Sequence, residues 1–136
     1  MKTTTLAAAL VLMAGAASAD NHMTPMVEAK DQDVSNGVVS ADKVMASQNG
    51  WLVVHRTDAE MKPGPVVGYA PIRAGETSDV AAILTEEVAS ADMLMLMVHG
   101  EDGGSQMGMF EYTLGATEDG PVRMDDKLVL TTIPAE

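Results

Sequence analysis

The sequence predicts an exported all-β protein with an immunoglobulin-like or cupredoxin-like β-sandwich of about seven or eight strands. Three observations carry this prediction. Short β-branched and apolar runs recur at the roughly 8 to 12 residue spacing of a sandwich, with turn residues between them. The chain has 136 residues, enough for one core. Its first residues read as a removable leader, with Lys2 ahead of the apolar run Leu6 to Ala14 and the small residues Ala17-Ser18-Ala19 at its end.

That leader assigns residues 1–19 to a signal peptide, residues 20–26 to a flexible polar lead and residues 27–136 to the sandwich, in a periplasmic, secreted or cell-surface location. Ala14-Gly15-Ala16 offers a second cleavage site. The leader is too short for a membrane span, and no later apolar run approaches 18 residues.

Val27 to Val34 is a weak first strand, and Val38 to Ala46 follows the turn at Ser35-Asn36-Gly37. Ser47-Gln48-Asn49-Gly50 is a reverse turn, because Asn-Gly tolerates positive φ. Trp51 to Arg56 is the strongest strand, Asp58 to Pro65 a loop, and Val66 to Ala70 a strand stopped by Pro71. Thr77 to Leu84 fits a helix by its alanines and Glu86-Glu87, but a strand by its length and flanking turns; strand is the reading adopted. Met93 to His99 and Met107 to Leu114 are two further strands joined by the Gly-rich segment Gly100 to Gln106, and Lys127 to Ile133 is the last.

Composition excludes several functions. With no Cys, there is no disulfide scaffold, thiolate zinc site, cysteine nucleophile or blue-copper centre. A net charge of −12 disfavours nucleic acid and anionic membranes as partners and fits a solvated acidic surface. Phosphate-binding loops, nucleophile elbows and paired nucleophile and base are all missing, so no enzyme is expected. Adjacent carboxylates such as Glu86-Glu87 and Asp125-Asp126 read as surface charge, and Glu101-Asp102 lacks EF-hand spacing.

Three segments carry a family resemblance: Gly50-Trp51-Leu52-Val53-Val54-His55; Gly64-Pro65-Val66-Val67-Gly68 with Ala74-Gly75 and Asp79-Val80; and Leu94-Met95-Leu96-Met97-Val98-His99. Together they resemble a secreted immunoglobulin-like domain family of unknown function, found in haloarchaeal surface proteins and bacterial exported proteins. The resemblance implies a β-sandwich and no activity. The 12 methionines lie outside the family pattern.

Strand alternation puts Met93, Met95, Met97 and His99 on one face and Leu94, Leu96 and Val98 on the other. A hairpin with Met107 to Leu114 would pair His99 with Met107, Met97 with Met109 and Leu96 with Phe110. Met97, His99, Met107 and Met109 would then gather thioethers and an imidazole, a donor set that selects Cu(I). Cleavage after Ala19 would start the mature chain Asp20-Asn21-His22, a four-nitrogen Cu(II) site with Met23 and Met26 beside it. The expected function is copper buffering or delivery, with copper or a copper-handling protein as partner. The competing reading is a metal-free module that uses Met as core filler or as a partner or homodimer face. An antiparallel arrangement sets His55 at the opposite end from His99, as a structural or rim residue; a parallel one would join the two in a type-2 copper site.

Overall fold

The computed structural model describes residues 23–136. The leader, with Asp20, Asn21 and His22, lies outside the described residues. The strands are β1 (Met26–Glu28), β2 (Val38–Ala46), β3 (Gly50–Thr57), β4 (Val66–Ile72), β5 (Gly75–Leu84), β6 (Met93–Gly100), β7 (Arg123–Met124), β8 (Lys127–Leu128) and β9 (Leu130–Pro134). Seven of them form one antiparallel sheet in the order β1-β2-β5-β4-β3-β6-β9, and β7 and β8 form a separate two-stranded ribbon. Split between β4 and β3, this is the ABED and CFG strand order of an immunoglobulin-type sandwich. The sheet curls until its two edges nearly meet. Gln32, just after β1, bridges Ala135, just after β9, and the Glu136 N–H donates to the Gln32 carbonyl at 3.0 Å.

The core lies between the two halves. Leu52 and Val54 of β3 and Leu94, Leu96 and Val98 of β6 face Val39, Ala41, Val44 and Ala46 of β2 and Val80 and Ala82 of β5. The residues from Thr77 to Leu84 are strand, because β5 completes the ladder of β2 along its whole length. β4 runs through Pro71 to Ile72 instead of stopping before it. Its pairing with β5 involves only Gly68 and Tyr69, so at Pro71 only β3 is a neighbour and a missing N–H is tolerated.

The expected Met107 to Leu114 strand does not form. β6 pairs with β3 on one edge and β9 on the other, which leaves no edge for a hairpin partner. The segment from Glu101 to Pro121 instead crosses the outer face of β3 and β6 as a loop. The weak first strand shrinks to β1, and the last divides into β8 and β9 around buried Val129. Asp125 and Asp126 take positive φ in the tight β7–β8 turn.

Leu96 is fully buried at the centre of this core. Leu96→Ala should cost about 2 to 5 kcal/mol, read as a lowered urea midpoint with an unchanged slope.

Candidate metal centre

The outer face of β3 and β6 is built by register. Trp51 pairs with His99, Val53 with Met97 and His55 with Met95, so these six side chains share the face opposite the Leu-rich core. In an ordinary sandwich such a face meets water. Here all six are buried, His55 at 0 % exposure and His99, Met95 and Met97 at 1 %.

The cover is the loop after β6. Phe110 packs on Tyr69 and Trp51, with ring centroids 4.3 and 5.5 Å away, and Tyr112 sits edge-on over His99 at 4.5 Å and His55 at 5.9 Å. All four aromatic residues of the sequence therefore meet on this face. The hairpin pairing of Phe110 with Leu96 would put Phe110 on the Leu face; as a loop residue it reaches the opposite one.

Asp119, itself buried, fastens the loop. Its carboxylate accepts the N–H groups of Asp102 at 3.2 Å and Glu111 at 2.8 Å, and its own N–H donates to the Asp102 carbonyl at 2.8 Å. Glu111 in turn accepts from the Ser105 hydroxyl at 2.5 Å and the Gln106 N–H at 3.0 Å, bonds that hold its carboxyl below the usual range.

His55 and His99 converge beneath this cover. The strands are antiparallel, as expected, and His55 lies opposite Met95, four residues along β6 from His99. The side chains nevertheless lean toward each other over Val53 and Met97, until their Nε2 atoms are 3.3 Å apart. The ring centroids are 5.4 Å apart, so the nitrogens are the nearest parts of the two rings and point at one another. Register alone, which describes Cα positions, placed His55 away from His99. Two features bring it back: an extra β4 residue opposite the Val54–His55 step, which adds local twist, and the Gly64 carbonyl, which receives the His55 Nδ1–H at 2.8 Å. At the other end, the His99 Nδ1–H donates to the Asp119 carbonyl at 2.7 Å. Gly50 lets β3 approach closely there, since a Cβ on it would collide with the His99 carbonyl oxygen.

A carbonyl oxygen only accepts, so both Nδ1 atoms carry the proton of a neutral ring, and both Nε2 atoms present lone pairs. Burial lowers the pKa of His55, and burial with the neighbouring His55 lowers that of His99 to about 4. Near neutral pH, two lone pairs therefore face each other in a dry site, an arrangement relieved by a cation between them. A ring nitrogen tied to a backbone carbonyl is also the usual orienting bond of a metal-ligating histidine.

Of the Cu(I) set expected from the sequence, the structure places Met97 and His99 at this centre. Met107 and Met109 are 94 % and 54 % exposed in the loop, because the hairpin that would have brought them opposite does not exist. Met26 opens β1 and pairs with Met45, and Met23 precedes that strand, so neither is on the strands that carry the His pair. Among the described residues, no group of three or more His, Asp or Glu converges. His55, Tyr112 and Asp119 are the residues that the sequence pattern did not single out for this centre. Trp51-x-Val53-x-His55 was the available signal, since its alternation matches that of Met95-x-Met97-x-His99.

The folded protein holds His99 neutral to about pH 4, whereas an unfolded histidine protonates near 6.5. Acidification from pH 7.5 to 4.5 should therefore remove roughly 2 to 3 kcal/mol through His99, and His99→Phe should show correspondingly less acid loss in urea unfolding. Asp119→Ala leaves two N–H groups without their acceptor and should cost about 2 to 4 kcal/mol, with faster amide exchange at Glu111 than at Leu96.

No curated protein and no solved structure matches the chain. Residues 25–136 match the family described as a domain of unknown function (DUF7282), and the chain belongs to that family.

Proposed function

We propose that this protein is an exported copper-binding protein that holds one Cu(I) between His55 and His99, for buffering or delivery. The observation that carries the reading is the pair of neutral imidazoles with Nε2 atoms 3.3 Å apart, each oriented through its Nδ1–H by a backbone carbonyl. One ion bonded at about 2.0 Å to each nitrogen needs a gap of about 3.5 Å in trigonal geometry, so the rings move apart by about 0.2 Å, against about 0.7 Å for a linear ion. Met97, between the two histidines in the β6 register, is the natural third donor. Neutral ligands in a buried site favour a monovalent soft ion, because among the described residues no Asp or Glu joins the two histidines to offset a second charge.

The proposal also covers the leader as an export signal, with the mature protein in the periplasm or at the cell surface, in keeping with the resemblance to haloarchaeal surface and bacterial exported proteins. Asp20, Asn21 and His22, with Met23 and Met26, form a separate Cu(II) capture site when cleavage follows Ala19.

Anaerobic Cu(I) titration of the chain from Asp20, against a competing chelator, tests the central site. One equivalent should bind, Met97→Leu should weaken binding about tenfold, and His55→Phe or His99→Phe at least a hundredfold. Met107→Leu with Met109→Leu should leave the affinity unchanged. Absence of binding, or binding indifferent to both histidine changes, would sink the copper reading and leave a metal-free interaction module.

A further inference from the structure

The His pair is sealed, so an ion needs a route to it, and surface pockets border the buried face. On the His99 side a pocket is lined by Trp51, Pro71, Ile72 and Met107, and it shares only Trp51 with the buried face. Beside Met97 an open pocket of about 400 Å³ lies between Pro63, Tyr112, Leu114, Arg123 and Pro121, which bridges His99, with Met97 in its lining. Met97 is thus a proposed ligand and a wall of a surface pocket at once, and Tyr112 is both the roof of the His pair and a side of that pocket. Pro63 adjoins Gly64, whose carbonyl orients His55.

We propose that copper enters and leaves through this second pocket, by exchange between Met97 and a methionine thioether of the copper donor or acceptor. This rests on the copper reading above. The pocket favours such a partner because its lining is mostly apolar, and because the swap conserves charge and softness. One bond from copper to the donor's sulfur breaks as the bond to the Met97 sulfur forms, copper remains Cu(I), and no electron or proton moves. The histidines then draw the ion inward, with Tyr112 moving aside.

Leu114 stands in the mouth of the pocket and is 57 % exposed, so its size can be changed without disturbing the core. The test is the rate of Cu(I) transfer from a preformed complex with a methionine-rich peptide, followed by stopped flow, with equilibrium affinity measured in parallel. Leu114→Trp should slow loading and release alike by at least tenfold, and Leu114→Ala should accelerate both, with affinity held within about twofold. Wild-type affinity combined with rates indifferent to residue 114 would overturn the route while leaving the copper site standing. So would slowing by Met107→Leu with Met109→Leu instead, which would put entry past Trp51. A wild-type protein that takes no Cu(I) overturns both.

Discussion

Strand β6 is paired on both edges and buried on both faces, and the rest of the structure follows from that constraint. Its inner face, Leu94, Leu96 and Val98, is an ordinary sandwich core. Its outer face, Met95, Met97 and His99, would expose apolar surface and an imidazole to solvent unless something covered it. Neither edge is free, so the following segment cannot continue as a strand and lies over the outer face as a loop. Phe110 and Tyr112 supply the apolar cover, and the buried Asp119 carboxylate supplies the hydrogen bonds that the loop lacks from a ladder.

Burial then changes the chemistry of the two histidines. At the surface each would titrate near neutrality and turn freely. Under the loop each loses the option of charge, and each is fixed by a backbone carbonyl, Gly64 for His55 and Asp119 for His99. Asp119 serves both purposes, because the residue that fastens the cover also orients one ring. Pinning both rings leaves their Nε2 lone pairs in opposition, 3.3 Å apart. The same loop that buries the two histidines also separates them from solvent.

The sandwich was legible because its signals are local. The strand β2 has the bounds that its flanking turns mark, and the alternation in Met93 to His99 separates core from outer face correctly. Thr77 to Leu84 was ambiguous because its alanines suit either state; the long ladder with β2 decides it. The hairpin expectation failed at Met107 to Leu114 because a two-residue period shows that a segment can be a strand, and says nothing about whether an edge remains to receive it. Antiparallel register separates the Cα atoms of His55 and His99, while two imidazoles leaning along the strands span four residues of β6.

By itself, then, the sequence determined the sandwich class, the face on which Met95, Met97 and His99 stand, and the absence of any thiolate, since periodicity and composition are properties of the chain alone. The partner of His99 was decided only by the tertiary structure. Two residues 44 positions apart meet because sheet order, an extra β4 residue and a loop with nowhere else to pair act together. Each of those depends on which strands are neighbours, and that information resides in the assembled sheet.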